Sequence, residues 1–365
     1  MIDLKRLFAG VAAVILAAAL VFPCGAVSAK SAILLDAQTG RVLYERNADQ
    51  QSLIASTTKI MTALLVCEQT NVLDRVRIPK EAVGIEGSSM YLKEGEVLTV
   101  QELLYGLMLH SGNDAAVALA IYCGGTVEGF AELMNDKAHR LGMKNTHFAN
   151  PNGLDAPHHY STARDMAVLA AYAMENPIFA KTVSTKTVNV TGRSLRNHNK
   201  LLWLLEGADG VKTGFTKAAG RILVSSCLRQ GRRLIAVTIN DGNDWQDHQH
   251  LMEAGFSEFS TRQLVRSGEC LGTVTVISGD AQSVELIAAE DFSYALSRCE
   301  QPELVLSKPD FVYAPVVKGQ EAGYAHVCIG GKPVGKVALV FGKTVEQEII
   351  KKPSAWDKLF KGGKT

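Results

Sequence analysis

Ala55-Ser56-Thr57-Thr58-Lys59-Ile60 runs directly into an apolar stretch, Ile60 to Val66. A serine with a lysine three residues later, at the mouth of a helix that reads as buried, needs a physical reason. At i and i+3 on a helix, two side chains lie one above the other on one face. A serine hydroxyl is a weak nucleophile unless a base sits within hydrogen-bond reach. Lysine is such a base when desolvation or a neighbouring cation lowers its pKa. The start of a helix adds free N–H groups for an oxyanion and a partial positive charge that disfavours an ammonium. On its own the S-x-x-K spacing is weak evidence. Ser56 as a helix cap with Lys59 in solvent fits it equally well.

Outward from this stretch, the composition narrows the possibilities. The chain has 365 residues, 38 basic against 37 acidic, and a net charge of +1. That balance argues against a nucleic-acid partner, which favours a basic surface. At 47% hydrophobic the composition is globular, and the length suits two domains better than one. Residues 1–29 read as a leader rather than part of the fold. Lys5 and Arg6 precede an apolar run from Leu7 to Phe22, and Val27-Ser28-Ala29 gives small residues for cleavage before Lys30. The chain is therefore expected to be exported.

Outside the leader the cysteines are Cys67, Cys123, Cys227, Cys270, Cys299 and Cys328. An even number in an exported protein permits disulfides. The contexts of Cys67, Cys123 and Cys227 are apolar, so these three are expected to be buried thiols. No C-x-x-C occurs, and no cofactor or metal site is expected.

Along the chain, SAILLDAQTGRVLYERN reads as a hairpin around Asp36 to Gly40. Helical patterns follow over about 56–69, 99–121 with a break at His110-Ser111-Gly112-Asn113, 128–141, and 161–175 with Ser161 or Thr162 as cap. Gly220 to Leu228 and Arg233 to Asn240 read as strands. The sum is an α/β (α+β) layered domain over 30–262, an antiparallel sheet flanked by helices. Residues 263–349 carry short alternating runs between turns and read as a small all-β domain. Residues 350–365 are basic, with Trp356, Leu359 and Phe360 on one helical face among Lys351, Lys352, Lys358, Lys361 and Lys364. They read as a membrane-surface tail.

Two further motifs join the first. Ser111-Gly112-Asn113 lies between helical stretches, as a loop that reaches into a cleft. Lys212-Thr213-Gly214 supplies a cation and a hydroxyl suited to a carboxylate, and a glycine that lets backbone approach a ligand. S-x-x-K, S-x-N and K-T-G in this order is the set of the penicillin-interacting serine enzymes, with Gly112 where an aspartate often stands. ASTTKIMTALL, MLHSGNDAAVALA, FANPNGLD and DGVKTGFTKAAG extend the resemblance, and residues 30 to about 350 resemble the D-alanyl-D-alanine carboxypeptidases, the low-molecular-mass penicillin-binding proteins. S-G-N is typical of that subgroup.

The resemblance implies a fold like that of penicillin-binding proteins and β-lactamases, and a serine-type enzyme that removes the terminal D-alanine of peptidoglycan stem peptides. It also implies β-lactam antibiotics as covalent inhibitors and a location at the outer face of the cytoplasmic membrane. By resemblance, Ser56 attacks, Lys59 takes its proton, and Ser111 relays a proton to the leaving amine. Asn113 holds the peptide and Lys59, and Lys212 and Thr213 bind the terminal carboxylate. Gly214 completes the third motif, and the N–H groups of Ser56 and Phe215 form the oxyanion hole. Phe215 stands where some members have histidine, and His198 where some have arginine.

A D,D-endopeptidase would use the same site. A class A β-lactamase would need a deacylating glutamate after the second motif, and LGMKNTHFANPNGLD has none. A non-catalytic wall scaffold is disfavoured by the intact motifs. Asp244, Asp247, His248 and His250 read as a solvated helix start, and His158-His159 as a loop at the cleft rim.

Overall fold

The computed structural model describes residues 27–349, which fall into two compact units divided between Phe256 and Ser257. The leader's first 26 residues and the basic tail, with Trp356, Leu359 and Phe360, lie outside the described residues.

The first unit is built on a five-stranded antiparallel sheet. Its spatial order is Val42–Arg46, Ser31–Asp36, Arg232–Ile239, Gly220–Arg229 and Ala208–Thr216. The chain's first hairpin thus joins strands from far along the sequence. Ser31–Asp36 is buried along its whole length, which explains its unbroken apolar run. Ala208–Thr216 is an edge strand, with one side free of any strand partner among the described residues.

Helix α1 (Lys59–Gln69) is buried from Lys59 to Cys67 and packs inside a helical layer with α2 (Val100–Leu109), α3 (Asn113–Gly124) and Ala163–Ala173. A helix apolar all round belongs in a core, and α1 is one. Thr99 caps α2 in a reciprocal box with Glu102, and Thr162 caps Ala163–Ala173. The break between α2 and α3 is a turn at Ser111, whose φ is 65°.

Val27 and Ala29 are buried, and Ser28 is bonded into the same unit. Its N–H donates to Asp247 at 2.6 Å and its hydroxyl to Asp241 at 2.7 Å. The stretch read as the end of the leader is therefore packed against the fold.

The second unit is all β. Six strands order as Pro302–Ser307, Glu321–Ile329, Lys332–Phe341, Ser283–Ala288, Cys270–Ile277 and Phe311–Tyr313, the last pair parallel. Val274, Val284, Leu286, Leu339 and Phe341 fill its core. Phe259–Val265 pairs with Phe292–Ser297 as a separate ribbon. That pairing ties residues 259–262 to this unit, ahead of the boundary read from hydropathy alone.

All six described cysteines are free. Cys67 and Cys227 are buried and Cys123 half-buried. Burial pushes the Cys67 thiol up to about 12, and those of Cys123 and Cys227 to about 11.

Candidate active site

Ser56 sits in a short 3-10 turn, Ala55–Thr58, and α1 begins at Lys59. The turn is tight because Ala55 has φ 45° and Thr57 N–H donates to the Ile54 carbonyl at 3.1 Å. Serine and lysine are therefore not on two turns of one regular helix, as the spacing suggested. They still meet, with Lys59 Nζ 3.0 Å from Ser56 Oγ. Gly153 makes this packing possible. Its φ is 84°, and an added Cβ would lie 1.9 Å from the Ala55 carbonyl oxygen.

Lys59 is fully buried and has three polar neighbours. Beside Ser56 Oγ, these are Asn113 Oδ1 at 2.6 Å and the Asn152 carbonyl at 2.5 Å. Asn113 Nδ2 donates to the Glu86 carbonyl, which turns its oxygen toward the lysine. Two of the three neighbours can thus only accept. A neutral amine would give its two protons to these and point its lone pair at the serine hydroxyl. Burial, then the nearby Lys212, holds the Lys59 pKa well below its ordinary value, and Asp114 opposes the shift.

The other motifs arrive from three directions. The α2–α3 turn brings Ser111 and Asn113, and Asn113 N–H is fixed on the Ser88 carbonyl at 2.7 Å. Asp114 braces the facing loop by accepting from Ser89 Oγ, Met90 N–H and Leu92 N–H. The edge strand brings Lys212, Thr213, Gly214 and Phe215. Gly214 lies against the turn that carries Ser56, where a Cβ would stand 3.2 Å from the Ile54 carbonyl oxygen. Ser56, Ser111, Thr213, Gly214 and Phe215 line one cleft of about 730 Å³. Lys59, Asn113 and Lys212 are buried side chains. Burial lowers Lys212 to about 7, and its Nζ donates to the Thr213 carbonyl.

Two expectations about histidines and aspartates are corrected. His159 is buried rather than at the rim. Its Nδ1 accepts from Ala149 N–H at 3.0 Å, so Nε2 carries the proton toward Thr58 Oγ1 at 2.8 Å. Burial keeps this ring neutral, with a pKa of about 4. It braces the turn of Ser56 from behind. Asp244, Asp247 and His248 are also buried, not solvated. Asp244 pairs with Arg221 at 2.7 Å, Asp247 holds Ser28, and His248 bridges Ser225 and Thr238. Distant strands and Ser28 cover this helix face, which its local sequence does not reveal. Asn152 and Asp114 carried no motif signal; one contributes a backbone carbonyl and the other bonds loop N–H groups, roles that depend on the fold.

Comparison with known proteins follows the same division. The D-alanyl-D-alanine carboxypeptidase family (peptidase S11) matches residues 17–243, and the C-terminal domain family of penicillin-binding protein 5 matches residues 259–347. The D-alanyl-D-alanine carboxypeptidase DacF of Bacillus subtilis (strain 168) is 35% identical over 81% of this chain and 80% of its own length. DacC of Escherichia coli (strain K12) is 36% identical over 88% and 85%. The crystal structure of penicillin-binding protein 5 from Haemophilus influenzae superposes with TM-score 0.78 at 31% identity, over 88% of this chain and 99% of that one.

Proposed function

The chain belongs to the D-alanyl-D-alanine carboxypeptidase family, serine-type penicillin-binding peptidases of the bacterial wall, and from that premise we propose how its residues divide the reaction. Ser56 Oγ attacks the carbonyl carbon of the penultimate D-alanine, and Lys59 takes the hydroxyl proton. The N–H groups of Ser56 and Phe215 hold the oxyanion. Ser111 passes a proton to the leaving D-alanine amine, leaving an acyl-enzyme on Ser56. Water then attacks the ester, and its proton returns through Lys59 to the serine. Lys212 and Thr213 hold the terminal carboxylate, and the free edge beside them accepts the extended peptide.

The observation that carries this reading is the set of neighbours around Lys59, with two fixed acceptors and the serine as third. A D-alanine release assay on a pentapeptide ending in D-Ala-D-Ala, run with labelled penicillin on the same preparation, tests it. Activity and labelling should both be lost in Ser56→Ala. Covalent labelling that survives would overturn the assignment.

Around this core, the chain is proposed to be exported and held at the outer face of the cytoplasmic membrane by residues 350–365. The bonds of Ser28 to Asp241 and Asp247 favour leader cleavage on the N-terminal side of Val27 over cleavage before Lys30. N-terminal sequencing of the secreted chain tests this. A mature chain that begins at Lys30 would refute it.

A further inference from the structure

One wall of the cleft is the segment 194–200, whose exposure alternates; it is a strand up to Arg196 and turns into a helix at Lys200. Leu195, Asn197 and Asn199 are buried, and Ser194, Arg196, His198 and Lys200 are exposed in a row along the cleft. The segment is anchored, not loose. Asn197 Nδ2 donates to the Val183 and Thr185 carbonyls, Asn199 Nδ2 to the Gly210 carbonyl, and His198 N–H to the Leu109 carbonyl. Burial and the neighbouring Lys212 push His198 down to about 4, so this ring brings no charge to the row.

The two cations are different. Arg196 has no acidic partner among the described residues; its guanidinium sits 5.1 Å from the Trp203 ring centroid. Lys200 forms no ion pair there either. On the other wall Arg221 is already neutralised by both oxygens of Asp244. Among the described residues the cleft therefore carries uncompensated positive charge on one wall only, on a hydrogen-bonded segment next to an indole. The terminal carboxylate of the substrate is already assigned to Lys212 and Thr213, so this wall has charge for a second anion.

We infer that Arg196 and Lys200 read a free carboxylate in the acyl half of the stem peptide, upstream of the scissile bond, and so set substrate preference. This rests on the carboxypeptidase reading of the same site. A stem peptide has two sources of such a group, the α-carboxylate of a γ-linked D-glutamyl residue and the side-chain carboxylate of a diaminopimelyl residue.

The test measures kcat/KM for D-alanine release by the full mature enzyme and by R196Q/K200Q on three pentapeptides. One carries a diaminopimelyl residue and a γ-D-glutamyl α-carboxylate, one has lysine in place of the diaminopimelyl residue, and one has lysine with the glutamyl carboxylate amidated. Two exposed charge pairs predict a loss of about fivefold to tenfold in the variant on peptides bearing the recognised carboxylate, and none on the amidated lysine peptide. Loss confined to the first peptide assigns the diaminopimelyl group; equal loss on the first two assigns the glutamyl group. An equal change on all three, or no change on any, overturns the proposal. If the wild-type enzyme releases D-alanine from none of them, the carboxypeptidase reading itself fails.

Discussion

Two sets of cations lie at the same cleft, one buried beneath its surface and one lining it. At its floor Lys59 and Lys212 are buried and hydrogen-bonded; on its wall Arg196 and Lys200 stand in solvent. The difference is in what surrounds the nitrogen. Desolvation makes the charged form costly at the floor, which suits Lys59 to the proposed role of base and lets Lys212 keep its proton only weakly. On the wall the cations stand at the surface, where charge suits selection rather than chemistry.

Removing the nucleophile gives the largest effect. Ser56→Ala should lower D-alanine release by about 10⁴-fold or more, measured as kcat/KM. Lys59→Arg comes next. Arginine cannot give up its proton, so a loss of about 10³-fold is expected, and substantial activity would place the base elsewhere.

The second floor lysine separates binding from stability. The wild-type pH profile of kcat/KM should rise as Lys59 loses its proton and fall above about 7 as Lys212 does. Lys212 binds its proton less tightly folded, at about 7, than unfolded, at about 10.5. Between those values the unfolded chain holds the extra proton, so this group's contribution to stability grows with pH. Lys212→Met should therefore stabilise the enzyme by about 1–2 kcal/mol, more at pH 6 than at pH 9, while impairing release. Calorimetry at the two pH values checks the sign.

A smaller effect is expected behind the nucleophile. His159→Phe removes the bond to Thr58 and should lower kcat on the order of tenfold through a misplaced Ser56, while penicillin labelling persists. At the far end, truncation after Glu348 should leave release from soluble peptide unchanged, since the catalytic motifs all lie before Gly220. It should also abolish sedimentation with anionic vesicles at low salt. An intact chain that does not sediment would refute the tail's role.

Much of this was legible in the sequence because the reacting groups are side chains with strict requirements. Only certain residues can be nucleophile, base or carboxylate ligand, so Ser56, Lys59, Ser111, Asn113 and the Lys212–Phe215 stretch stand out by type and spacing. Period located the main helices, and Thr162 as a cap the start of Ala163–Ala173, because such a cap satisfies backbone donors within its own turn. The tertiary structure alone decided the rest. Asn152 contributes a carbonyl, which every residue has. Asp114 and His159 act through loops brought close by folding. Asp244, Asp247 and His248 look solvated until distant strands and Ser28 cover them. The free charge of Arg196 and Lys200 depends on which acids are absent nearby, a property of the assembled surface and not of any local stretch.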